Sequence, residues 1–186
     1  MKRLFFLLLV LIVISTEAQV SGDKLKFPKL EKLPQNFQQS VDKQIKDYHR
    51  LFKKDSSTTN HYTVSFILDK IDSDSNYQYV FLAEFWSAFH YQDMIPELIK
   101  RITNKSEIGL VNSADLIIWE RIHAKQMEFW GHGGVSSDDL FTVAGRANRV
   151  LTKVTGQNFG SVSMYSTQDQ LATLQKKWTT WLKELE

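Results

Sequence analysis

Apolar side chains recur at three- and four-residue spacing through most of this chain, and it contains no cysteine to fix any other arrangement. That period belongs to a helix with one buried face. Between residues 35 and 54, Phe37, Val41, Ile45, Tyr48 and Phe52 fall on one such face. Residues 77–89 carry Val80, Phe81, Leu82, Phe85, Trp86 and Phe89, apolar almost all round, as expected of a central helix covered on several sides. Ile95, Leu98, Ile99 and Ile102 trace another stripe; Leu140, Val143, Ala144, Ala147, Val150, Leu151 and Val154 trace a further one. Leu171, Leu174, Trp178, Trp181 and Leu185 mark the last. Residues 62–71 fit helix or strand, with helix the preferred reading of Val64, Leu68 and Ile71.

Punctuation agrees with the period. Asp93 is expected to cap one helix with Pro96 in its first turn, where proline is tolerated. Ser113 is the expected cap for residues 114–130, which Gly131, Gly133 and Gly134 end. Ser137, Asp138 and Asp139 are expected to begin the following helix, and Gly156 to stop it in the left-handed conformation. Thr167 with Gln170 matches a capping box. The small residues Ala144, Gly145 and Ala147 invite close approach by a neighbouring helix. The expectation is an all-α fold of six or seven antiparallel helices, in a bundle or short solenoid.

The first residues have a different logic. Lys2 and Arg3 precede an unbroken apolar run at 4–14, and Thr16 and Ala18 supply small residues before Gln19. This is the secretory leader pattern, too short for the roughly 20 apolar residues that span a bilayer. Three regions are expected: a signal peptide at 1–18, a linker at 19–34 interrupted by two prolines, and one helical domain at 35–186. The chain is then exported, periplasmic or secreted. With no cysteine after the leader, lipid attachment and a stable membrane anchor are not expected. Without disulfides or thiolate metal ligands, stability rests on packing, for which five tryptophans, six tyrosines and twelve phenylalanines are available. The formal charge of the whole chain is +2, and loss of the leader brings it nearer zero. No basic stripe suggests nucleic acid as a partner.

The segment 143–160, with its turn Thr155-Gly156-Gln157-Asn158-Phe159-Gly160 and the tryptophan-bearing helix beyond it, resembles the terminal part of HEAT-like helical repeat proteins. Residues 93–102 resemble the second helix of a HEAT pair. The resemblance spans roughly residues 77–185 and implies stacked helix pairs with a surface for partners. Asn158 stands where an acidic residue is common, and the first helices show no matching repeat. The chain also looks like exported bacterial proteins with no assigned activity.

Chemistry-bearing residues are sparse. Glu120 and His123 share a helix face, but a di-iron bundle needs two such pairs and two further glutamates. Two histidines four apart around a glutamate, as in zinc proteases, are absent. Gly131-His132-Gly133-Gly134 resembles an esterase oxyanion loop, without the nucleophile elbow such an enzyme requires. If a small-ligand site exists, His123, Phe129, Trp130, His132 and Asp138 are where to look for it. His49, His61 and His90 are scattered, and Asn104-Lys105-Ser106 is a glycosylation sequon, without meaning in a bacterial host. No catalytic residue, cofactor or metal site is assigned. The expected function is an exported non-catalytic helical module that binds a protein, such as another envelope protein, or supports an assembly. The alternative is a small enzyme or a metal- or ligand-binding protein with its site around His123 and His132.

Overall fold

The computed structural model describes residues 27–53, 56–108 and 139–185. Among these the fold is all-α. Six helices longer than one turn are present: α1 (Gln35–Leu51), α2 (Val64–Ser73), α3 (Tyr77–Trp86), α4 (Tyr91–Arg101), α5 (Val143–Thr155) and α6 (Gln168–Glu184). A single helical turn, Ser56–Thr59, precedes α2, and a 3₁₀ stretch, Ser87–His90, joins α3 to α4. An isolated antiparallel bridge joins Glu107 to Thr142. None of the described helices is long and apolar enough to cross a membrane.

The helix starts follow from side-chain oxygens that satisfy backbone N–H groups left unpaired in a first turn. Thr63 accepts from Phe66 N, Asn76 from Gln78 N and Thr142 from Gly145 N. Thr167 and Gln170 form the full reciprocal capping box. Residues 62–71 resolve as helix from Val64 onward. Gly156 ends α5 at φ 70°, the left-handed stop expected of it.

Two boundaries differ from expectation. Asp93 lies inside the first turn of α4 rather than capping it, because the chain runs on through the 3₁₀ stretch and α4 begins at Tyr91. Pro96 therefore sits within the helix, which loses the bond its N–H would have made to the Gln92 carbonyl. Similarly, α5 begins at Val143 rather than near residue 137; Asp139 and Leu140 lie in the turn before it. That turn explains Gly145. A Cβ there would stand 1.7 Å from the Asp139 carbonyl oxygen, so the close approach comes from the preceding turn, not from a neighbouring helix.

The centre of the fold is α5, which packs against α1, α2, α3 and α4. Eleven of its thirteen residues are buried, including Arg146, Asn148 and Arg149. The apolar helix α3 is covered as expected, except that Phe89, just beyond it, is partly exposed. The core also takes in the chain before α1. Phe27 and Leu33 are buried, and Phe27 meets Tyr91 and Phe37 edge-on with centroids 5.4 and 6.3 Å apart.

Candidate functional site

The residues that sequence reasoning singled out for a ligand, His123, Phe129, Trp130, His132 and Asp138, lie outside the described residues. The other three histidines do not converge. His90 stacks on the Trp86 indole at 4.0 Å. That contact keeps water from one ring face and holds its pKa below the ordinary imidazole value, against an opposing pull from Asp93. His49 meets Tyr48 and Phe89 edge-on, and His61 is exposed beyond the Ser56–Thr59 turn. Among the described residues, no group of three or more His, Cys, Asp or Glu side chains is arranged to hold a metal ion.

The buried polar side chains of α5 have structural partners. Arg146, fully buried, donates through Nε to the Leu140 carbonyl at 2.8 Å. Its Nη1 reaches the carbonyls of Ile71 and Asp74 at 3.2 and 2.7 Å. It thereby satisfies acceptors that the end of α2 leaves unpaired. Burial lowers its pKa, and the nearby charges of Asp74 and Asp139 oppose that shift; a guanidinium starts so high that it stays charged. Arg149 pairs with Glu84 of α3. Asn148 donates to the Gly160 carbonyl at 2.9 Å and accepts from the Trp178 indole at 2.9 Å. Asn148 therefore joins α5, the turn after it and α6.

That turn leads to the most unusual surface of the described residues. Met164 and Tyr165 are 69% and 81% exposed, the highest values for large apolar side chains here. They occupy the middle of a tight turn, Ser163-Met164-Tyr165-Ser166. Ser166 N donates to the Ser163 carbonyl at 3.0 Å and closes it. Ser163 N donates to Ser166 Oγ at 2.9 Å, and Tyr165 N to Ser163 Oγ at 3.2 Å. Lys105 Nζ donates to the Ser166 carbonyl at 2.8 Å from across the fold. On one side Val162 is buried, its carbonyl accepting from Asp139 N at 2.7 Å. On the other the capping box of α6 begins at once. The backbone is pinned from both sides while its two large side chains stand in water.

An open groove of about 510 Å³ lies beside the turn, with an apolar floor of Phe159, Leu171 and Leu174 and hydroxyls from Ser161 and Ser163. A second, of about 410 Å³, continues along the outer face of α6 past Thr180 to Trp181. Phe159, Thr173 and Lys177 line both. Sequence periodicity could not find this site, because the turn belongs to no helix. The available signal was two large apolar residues between serines, directly before a helix cap.

No protein-family model, curated protein or solved structure matches this chain.

Proposed function

We propose that this protein is an exported, non-catalytic helical module of HEAT-like character that binds another protein through the Met164–Tyr165 turn. The observation that carries the reading is the turn itself. On a backbone already fixed by hydrogen bonds, binding has only the side chains left to order, and two large exposed side chains bury much surface. Tyrosine is enriched among residues that dominate interfaces, and methionine adapts to irregular partner surfaces. Four hydrogen bonds hold these two in place.

Export is supported by the leader pattern at residues 1–18, and an envelope or secreted partner follows from it. The HEAT-like reading is supported by the resemblance of residues 143–160 and the tryptophan helix beyond them.

Co-purification from the exported fraction tests the proposal, comparing the natural chain with Met164→Ser/Tyr165→Ser. The proposal expects a specific partner with the first and its loss with the second. Recovery of the same proteins with both would refute the role of the turn.

A further inference from the structure

The turn and the grooves beside it bear on one inference, a second copy of this chain as the partner. This inference rests on the reading of the Met164–Tyr165 turn as a binding element. Thr173 lines both grooves and is exposed on the outer face of α6, six residues into its seventeen. Asp169 lies four residues before it and Lys177 four after, and both line the first groove. A two-fold axis through Thr173 would lay α6 antiparallel to its copy. Each Asp169 would then face Lys177 of the second copy, so one self-complementary face yields two opposite-charge pairs.

The same axis sets the turn against the second groove. Tyr165 lies just before the start of α6 at Gln168, and Trp181, in the second groove, lies near its end at Glu184. An antiparallel copy places the start of one α6 beside the end of the other, and so its turn beside the groove lined by Thr180 and Trp181. The long aliphatic stems of Lys176 and Lys177, also lining that groove, can cover an aromatic ring while their charges remain wetted. The near-neutral chain offers little net repulsion to self-association.

We infer that two copies of this chain associate through antiparallel α6 helices about Thr173, each seating its Met164–Tyr165 turn in the other's Thr180–Trp181 groove. The closing experiment is sedimentation velocity on the exported chain over a concentration series, with four variants. The natural chain is expected to double in mass as concentration rises. Tyr165→Ser and Asp169→Lys should return it to monomer, and Asp169→Lys/Lys177→Asp should restore the dimer, because the exchanged charges meet again across the axis. As the chain has no cysteine, Thr173→Cys supplies a single thiol on the axis and should form a disulfide-linked dimer under mild oxidation. Circular dichroism on each variant separates lost association from lost fold.

A natural chain that stays monomeric throughout overturns the inference and leaves a heterologous partner for the turn standing. A dimer unaffected by Tyr165→Ser, or failure of the double exchange to restore what Asp169→Lys removed, also overturns it.

Discussion

Arg149 Nε stands 2.5 Å from Glu84 Oε1, and the two side chains are only 4% and 1% exposed. This pair joins the central helix α5 to α3. Taking both charges out of water is costly, and their attraction offsets that cost only while both are present. Glu84→Leu or Arg149→Met alone should lower stability by about 3–5 kcal/mol, because each removes the opposite charge from a buried one. The double replacement should recover most of that loss. Urea denaturation of the four chains in a double-mutant cycle measures the coupling; additive losses would contradict it.

Gly145 inside α5 and Gly156 at its end separate steric from conformational causes. Gly145→Ala places a methyl 1.7 Å from a backbone oxygen that cannot swing aside. It should cost on the order of 3 kcal/mol. Gly156→Ala meets its nearest atoms at 3.2 Å but must adopt φ 70°. It should cost about 1–2 kcal/mol. Thermal unfolding should rank them in that order.

Phe27 tests whether the chain before α1 belongs to the folded unit. It is buried against Phe37 and Tyr91, and its carbonyl accepts from Gln92 Nε2 at 3.4 Å. Phe27→Ala should cost about 3 kcal/mol. A change near zero in the urea midpoint would make the segment a tether only.

Asp74 gives a pH dependence with a defined sign. The hydrogen bond from Lys70 holds its carboxyl below the ordinary value of 3.8, helped by Asn76 N and opposed by burial. A depressed carboxylate stabilises the fold above its unfolded pKa and loses that contribution as pH falls through the folded one. Asp74→Asn should therefore be less stable than the natural chain at neutral pH. The difference should close in the acid range below 3.8. Urea midpoints across that range measure it, and a constant difference would exclude the ionic cause.

Much of the fold was legible because it depends on periods and caps. Phe37, Val41 and Tyr48 are buried on the face their spacing assigned, and Gly156 and Thr167 end and begin helices where their chemistry placed them. The identity of the central helix was not legible. α3 is the more apolar by composition, whereas α5 is the more connected, with two arginines and an asparagine inside it. Hydrophobic pattern ranks such residues as surface; only long-range partners such as Glu84, Ile71 and Trp178 permit their burial. The Met164–Tyr165 turn was missed for the opposite reason. Its rigidity comes from Ser163, Ser166 and the distant Lys105, and nothing in a local period marks two apolar residues as held in water.

The most direct measurement places a photo-reactive phenylalanine at position 165 of the full chain and irradiates it in cells that make the chain. The adducts are then identified by mass. A discrete adduct is expected, either a second copy of this chain or one other protein. It should be lost when Ser163→Ala and Ser166→Ala release the turn while helix content is unchanged. Only unreacted chain, or the same adducts after the turn is released, would contradict the claim that this turn is a built binding element.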